Sequence, residues 1–378
     1  MRWRLVEAFC WPRSHTVIIG FAKPKRCMRF RTIVRCRPSR LCNETSRSST
    51  YDEQREIDTA RRYVKGSRDA VATAPDVGLI VWPESTYTAG LPWRVVEDGF
   101  TLPADSGVTK AEVVAGVKDA QDLFQRRAAD IQLALRASSG KESPPQLMVG
   151  CSVIRYVDGP VQIFSSVVGI NRNGRVANWY GKSHLVILGE YIPFGHWFPW
   201  LYSLTPLSPG VVPGDGAATW DIEGAKVMPS VCFDTMVERV TNRHLRKLDA
   251  SGEHVDVVIN VTNDAWFKNS AILSHHRRCT QVLAAAHHVP ILIAANGGPT
   301  VSIDSSGRVI DALPHQTEGF LIANPRRDSR VTLYQRIGDL PAWVAAFLCM
   351  TLMASAVYNR MRRPPDVYRA WSETVPSR

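Results

Sequence analysis

The sequence has no Cys-x-x-Cys pair, no internal repeat and, over most of its length, no surplus of either charge. Each absence excludes something. Without closely spaced cysteine pairs there is no pattern for a structural zinc site, and no metal is expected. Of the eight cysteines, Cys10, Cys27, Cys36 and Cys42 crowd the first 50 residues, while Cys151, Cys232, Cys279 and Cys349 lie far apart. A chain of 378 residues can build a core without a disulfide framework. The N-terminus also lacks the apolar stretch of a secretory signal, its longest run being Val17 to Ala22. A net charge of +11 would ordinarily suggest nucleic acid or an anionic membrane as partner. Residues 1–50, however, hold 12 Lys/Arg against 2 acids, and the other 328 residues hold 34 against 33. A nucleic-acid-binding module would therefore rest on the leader alone, and no nucleic acid is expected as a partner.

What is present reads as an α/β protein. Residues 52–72 have helical character, and the apolar run Val77–Trp82 closed by Pro83 reads as a buried strand. Val113, Val117, Ala120, Phe124, Ala128, Ile131 and Leu135 recur at steps of three and four, which predicts an amphipathic helix over 109–137. Leu147–Ile154 and Ile163–Ile170 flank Asp158-Gly159-Pro160, and Asn171-Arg172-Asn173-Gly174 is a second hairpin-type turn. Further buried runs are Val227–Phe233, Val255–Val261, Pro290–Ala294, Pro299–Ile303 and Gly319–Ala323, with a helix over Ser270–His288. Strands alternating with helices, plus hairpins, imply a mixed sheet.

Leu340 to Tyr358 are 19 residues without a charge. As a helix they would extend roughly 28 Å, about one hydrocarbon core. Trp343 and Tyr358 stand near the ends as interfacial anchors would, and Arg360, Arg362 and Arg363 follow. A transmembrane helix at 340–358 is expected, with the basic tail 359–378 in the cytoplasm and the body on the other side. The alternative is a buried core helix.

Three strand ends carry reactive side chains: Glu84 in Val81-Trp82-Pro83-Glu84, Lys182 after a hairpin, and Cys232 in Ser230-Val231-Cys232-Phe233-Asp234. Functional groups in open α/β sheets gather beyond the carboxyl ends of strands. Singly, each has an ordinary explanation: a helix cap, a solvated lysine, a small core residue. Together with their surroundings they form an ordered set. After Val81–Glu84 comes Tyr180-Gly181-Lys182-x-His184-Leu185-x-x-x-Gly189-Glu190-Tyr191-Ile192-Pro193-Phe194-Gly195, then Cys232-Phe233-Asp234. Asn260–Phe267, His275 at the head of a helix, Ala295–Gly298 and Ile303–Gly307 continue it. This wording resembles the carbon–nitrogen hydrolase (nitrilase) superfamily, and within it the apolipoprotein N-acyltransferase branch, over about residues 51–358.

The resemblance implies a four-layer αββα nitrilase-like sandwich over 51–335 with Glu84, Lys182 and Cys232 as catalytic triad. A thiol near pKa 8.5 needs a base or a nearby cation to become a nucleophile. Glu84 fits the first role, and Lys182 fits the second and the stabilisation of an oxyanion. Glu190 matches a further family carboxylate, expected either to orient Lys182 and assist proton transfer or to form an ordinary salt bridge. The implied reaction takes an acyl chain from a phospholipid donor onto Cys232. The thioester then passes it to the α-amino group of a diacylglyceryl-lipoprotein acceptor, without a cofactor. The implied location is the bacterial inner membrane, with the catalytic domain extracytoplasmic. The chain departs from the family wording at Ile187-Leu188, where Pro-Phe is usual, and at Asp234 after Phe233, where Glu is usual. His275-His276 and His287-His288 read as satisfied or exposed helix residues. Trp179, Phe194, Trp197, Phe198, Trp200 and Trp220 form an aromatic-rich stretch suited to an acyl groove, a membrane interface or the core. Residues 1–50 are expected to be disordered or foreign to the family, with Val17–Phe21 or Phe30–Val34 as the available first strands. The rival readings are an amidase acting on a small amide and a non-catalytic remnant lacking N-terminal membrane helices.

Overall fold

A computed structural model describes residues 17–19, 49–87, 91–102, 106–195, 197–204, 211–267, 270–313 and 317–362. Most of the basic leader, the candidate strand Phe30–Val34 and the tail from residue 363 lie outside them. The elements in chain order are β1 (Val17–Ile19), α1 (Ser49–Thr73), β2 (Leu79–Trp82), β3 (Trp93–Val96), α2 (Lys110–Ser139), β4 (Gln146–Tyr156), β5 (Gln162–Ile170), β6 (Val176–Gly181), β7 (Trp220–Ile222), β8 (Ala225–Val231), α3 (Glu238–Ala250), β9 (Val257–Asn263), α4 (Ala271–His287), β10 (Ile291–Asn296), β11 (Val301–Ile303), β12 (Val309–Ala312), β13 (Ile322–Ala323), α5 (Leu333–Ile337) and α6 (Leu340–Arg362). The chain divides into two units between Arg330 and Val331.

The first unit holds two mixed sheets. One has the order β13-β1-β2-β4-β5-β6 with β3 also on β4, and the other β12-β11-β10-β9-β8-β7. The parallel pairs β2/β4, β9/β10 and β8/β9 form its inner rails, and the hairpins β4/β5 and β5/β6 extend the first sheet. The leader's Val17–Ile19 runs antiparallel to β2 and parallel to β13, so the first of the two sequence candidates supplies a strand.

Strand alternation explains the layers. On β8 and β9, Val227, Val231, Val257, Ile259 and Val261 join one continuous core with β2, β4, β5, α1 and α2. Met228 and Val258 face the opposite way, into a second core with Leu245 and Leu248 of α3 and Leu283 and Ala284 of α4. Successive side chains point to opposite faces of a strand, so one sheet can serve both cores. The result is helices, sheet, sheet, helices: the four-layer αββα sandwich. The α2 stripe buries Val117, Phe124, Ala128, Ile131 and Leu135. Its ends are set locally, by a Thr109–Glu112 capping box and by Gly140 at φ 66°. β8 is shorter than the apolar run that encodes it: it stops at Val231, and Cys232–Thr235 form a single 3₁₀ turn.

In the second unit, α6 runs 23 residues, and none of them is buried. At about 34 Å it is long and apolar enough to cross a membrane, by length and composition.

Candidate active site

The three strand ends named from sequence come from both sheets, and the chain around each is built to hold it. Pro83-Glu84 follows β2. Thr86 and Tyr87 donate their N–H groups to Gly150 O of β4, both at 3.1 Å. A side chain at Gly150 would put its Cβ 2.3 Å from Pro83 O and 2.4 Å from Glu84 Cα, so only glycine lets β4 pass beneath this turn. Lys182 follows β6, its N–H donating to Ser165 O at 2.8 Å while its own carbonyl accepts from Gly214 N at 2.7 Å. Cys232 follows β8 with φ at 50°, a left-handed conformation that a non-glycine residue adopts only where its surroundings enforce it.

Glu84, Lys182 and Glu190 meet. Lys182 Nζ donates to Glu190 Oε1 at 2.7 Å and lies 3.8 Å from Glu84 Oε1. Glu84 accepts from Ser165 Oγ at 2.7 Å and from Asn263 N at 2.9 Å, which fixes both carboxylate oxygens. Glu190 accepts from Val186 N at 2.8 Å. Lys182 is 2% exposed and Glu84 7%. Burial opposes the ammonium, but the carboxylates of Glu84 and Glu190 outweigh it and hold Lys182 above its ordinary pKa, hence protonated.

Cys232 is buried, and Glu84 and Lys182 are among the charges that act on its thiol. Burial pushes its thiol well above the ordinary value, and Glu84 adds to this. Lys182 pulls the other way without prevailing. At neutral pH the sulfur is therefore a neutral thiol.

Asp234 does not join this group. It is buried and accepts from His184 N (2.7 Å), Tyr180 Oη (3.0 Å), Ser183 N (3.3 Å) and Val231 N (3.3 Å). It therefore staples the Cys232 turn to the Lys182 segment. Burial raises its pKa to about 6 against the pull of the Ser183 and His184 N–H groups. Phe233 is half-buried against the larger core, its ring centroid 6.1 Å from that of Phe267.

Sequence reasoning gave no place near the candidate site to Ser165 or His276, and named Asn260 and Thr262 only within the block Asn260–Phe267. Ser165-Ser166 is a polar break inside the apolar strand Ile163–Ile170, and that was the available signal. Of the two readings of His276, satisfied or exposed, the structure has the first: it is buried, with its ring nitrogens near Thr235, Asn260 and Asp264. The aromatic stretch divides in two. Trp220 is buried and Trp179 packs on Phe164 at 5.2 Å, whereas Phe194, Trp197, Phe198 and Trp200 are exposed, with Phe194 and Trp197 stacked at 5.7 Å. Ile187 and Leu188, on the Glu190 segment, are exposed as well. Among the described residues no three His, Cys, Asp or Glu side chains are grouped to hold a metal ion.

Known proteins share this arrangement of sequence. A carbon–nitrogen hydrolase family model matches residues 40–333. The apolipoprotein N-acyltransferase of Rhodopirellula baltica is 40% identical over 311 residues, 79% of this chain and 54% of that protein. That of Rhodopseudomonas palustris is 25% identical over 281 residues, 71% of this chain and 49% of that protein. The chain thus spans about half the length of the curated relatives it matches. Among solved structures, a carbon–nitrogen hydrolase from Helicobacter pylori aligns at TM-score 0.46 and 13% identity over 71% of this chain and 84% of that one. An amidase from Nesterenkonia sp. aligns at TM-score 0.43 and 14% identity over 83% and 92%.

Proposed function

The chain belongs to the carbon–nitrogen hydrolase family, in its apolipoprotein N-acyltransferase branch, and from that premise we propose that it transfers an acyl chain from a phospholipid to the N-terminal amine of a lipoprotein through a thioester on Cys232. The observation that carries the reading is the buried ammonium of Lys182, held between Glu84 and Glu190 at the strand end of one sheet, with Cys232 on a left-handed turn at a strand end of the other.

In the first half-reaction, Glu84 takes the thiol proton as Cys232 Sγ attacks the ester carbonyl carbon of the phospholipid. The C–S bond forms while the carbonyl becomes an oxyanion, and Lys182 stabilises it. Collapse breaks the ester C–O bond, and Glu84 returns the proton to the departing glycerol oxygen, releasing lysophospholipid. In the second half, Glu84 takes a proton from the incoming α-amine as it attacks the thioester. The C–N bond forms, the C–S bond breaks and the thiol is restored. Glu190, bonded to Lys182 and to the Val186 N–H, keeps the ammonium aimed at the oxyanion.

Two features support a lipid as donor rather than a small amide. The segment that carries Glu190 also presents Ile187, Leu188, Phe194, Trp197, Phe198 and Trp200 to solvent, an apolar surface of the kind that meets lipid. The chain also carries α6, with Arg360 and Arg362 in its last turn, which would anchor the domain in a bacterial inner membrane with its C-terminus cytoplasmic and the catalytic domain outside.

The test is to incubate the full chain with vesicles of acyl-labelled phospholipid and look for a hydroxylamine-labile label on Cys232. Label on the wild type that disappears in Cys232→Ala, and that moves to a diacylglyceryl-cysteine peptide on its addition, is the expected result. No label on the wild type, or label retained in Cys232→Ala, overturns the reading. Rapid loss of label to water with no transfer to the peptide would favour a hydrolase.

A further inference from the structure

Cys232 is held in its left-handed conformation by a buried polar chain that the proposed chemistry does not use. Asn260 Nδ2, on β9, donates to the Cys232 carbonyl at 3.2 Å and to Thr235 Oγ1 at 2.8 Å. His276 Nε2, on α4, lies 3.2 Å from Thr235 Oγ1 and 3.3 Å from Asn260 Nδ2. His276 Nδ1 lies 3.4 Å from Asp264 Oδ1, which also accepts from Thr262 Oγ1 at 2.7 Å. Asn260, Thr235, Thr262, Asp264 and His276 are all buried.

The partners assign the hydrogens. An Asn amide nitrogen can only donate, so the ring nitrogen facing it must accept, and the ring proton belongs on Nδ1, facing Asp264. The His276 ring lies with Nδ1 toward Asp264 and Nε2 toward Thr235, the Thr235 hydroxyl reaches both His276 Nε2 (3.2 Å) and the Cys232 carbonyl (3.4 Å), and Asn260 donates to Thr235 and to the Cys232 carbonyl.

That carbonyl is one end of the planar peptide between Cys232 and Phe233. In a trans peptide the C=O and the next N–H point in opposite directions, and the described chain contains no cis peptide. Clamping the carbonyl from behind therefore fixes where the Phe233 N–H points: away from the chain of polar groups. A backbone N–H directly after a nucleophile on a strained turn is a donor in the right place for an oxyanion.

We infer that Asn260, Thr235 and His276 are positioning residues that set the Cys232–Phe233 peptide plane, so that the Phe233 N–H shares with Lys182 the stabilisation of the oxyanion. Their effect is on acyl transfer, which builds an oxyanion, and not on the intrinsic availability of the sulfur. The inference rests on Cys232 being the nucleophile, and the experiment separates the two. The rate of Cys232 alkylation by iodoacetamide, followed by peptide mass mapping in the full chain, reports the thiol alone, because displacement of iodide forms no oxyanion. The burst of p-nitrophenol released from p-nitrophenyl butyrate reports acylation.

His276→Asn keeps a polar group near Nδ1 and removes the one at Nε2. It should slow the burst by about 10- to 100-fold, the range that follows from losing or misaiming one oxyanion donor, with alkylation within about twofold of wild type. His276→Gln, which keeps a polar group near Nε2, should restore the burst to within a few-fold. Thr235→Val removes the link while conserving shape and should repeat the split; it serves if His276→Asn does not fold. A wild-type burst that is absent sinks the nucleophile reading itself. A normal wild-type burst with an unchanged burst in His276→Asn and Thr235→Val, or with burst and alkylation falling in parallel, overturns the positioning role.

Discussion

Lys182→Met tests the electrostatic core of the site. Lys182 Nζ sits 2.7 Å from Glu190 and 3.8 Å from Glu84, with Lys182 almost completely buried. At an effective dielectric near 20, these separations correspond to roughly 6 and roughly 4 kcal/mol of attraction before desolvation is subtracted. Desolvation removes most of that sum, but it does so once, when the charges are buried. Taking away the cation alone leaves two carboxylates facing each other in a poorly hydrated site, and breaking a buried pair in this way costs about 3–5 kcal/mol. For a domain of this size each kcal/mol is worth about 2–4 °C, so the melting temperature should fall on the order of 10 °C. The decisive comparison is the triple variant Lys182→Met/Glu84→Gln/Glu190→Gln, which has no formal charge at these positions. It should regain most of the lost stability while remaining unable to form an acyl-enzyme. Thermal unfolding of the full chain followed by circular dichroism measures the first, and the p-nitrophenyl butyrate burst measures the second. A loss below about 1 kcal/mol in Lys182→Met, or a triple variant no more stable than the single one, would refute the reasoning, because the three charges would then not be mutually dependent.

Gly150→Ala should disturb the site without touching a charged group. Its Cβ would meet backbone at 2.3 and 2.4 Å, so the Glu84 turn must move, at a cost of about 1–3 kcal/mol and a loss of acylation larger than the loss of stability accounts for. Asp234 gives a pH prediction. Its pKa is raised to about 6 from 3.8, so between those values the folded chain binds a proton that the unfolded chain does not. The stability it contributes is complete below the unfolded value and lost as pH rises through 6, about 3 kcal/mol across the window. The stability difference between wild type and Asp234→Asn should therefore vary between about pH 4 and 6 and level off above 7; a difference that stays flat throughout contradicts this. Trp197→Ala and Trp200→Ala remove exposed rings, so unfolding should shift by less than about 0.5 kcal/mol, while sedimentation with phospholipid vesicles weakens. Unchanged vesicle binding argues against this segment as the lipid contact.

The fold was legible wherever one physical signal dominated. The α2 stripe, the β4/β5 hairpin and the turn at Asn171–Gly174 follow from periodicity and from glycine at positive φ, and their limits agree with the structure to within a few residues. Legibility failed where two signals competed. Val227–Phe233 is apolar apart from Ser230 and reads as one strand, yet the chain leaves the sheet at Val231, because Asp234 turns back to accept from the Val231 N–H and from the Lys182 segment. Helix α3 (Glu238–Ala250) was invisible for the opposite reason: its buried face mixes Thr241, Asn242 and His244 with Val240, Leu245 and Leu248, so apolar spacing alone is thin. β3 and β7 are only four and three residues long, too short for alternation to register.

The site shows the same division at the level of single side chains. Glu84, Lys182 and Cys232 lie 98 and 50 positions apart, and nothing in those spacings encodes proximity; the strand ends of two sheets do. Order and wording of the motifs could nominate the three and Glu190, but not what Ser165, Asn260 and Thr262 bond to. Ser165, Asn260 and Thr262 are inward positions on β5 and β9, polar residues in places where the alternation calls for apolar ones. A polar group at such a position must be bonded to be tolerated: Ser165 donates to Glu84, Asn260 to the Cys232 carbonyl and Thr262 to Asp264. A local conflict between strand pattern and residue type was thus the readable trace of the site's second tier. It marks where the fold accepts buried polarity in order to hold Glu84 and the strained Cys232 turn in place. His276 carried no such trace, because a helix tolerates histidine on any face; its role becomes visible only when β9 brings Asn260 beneath the carbonyl of Cys232.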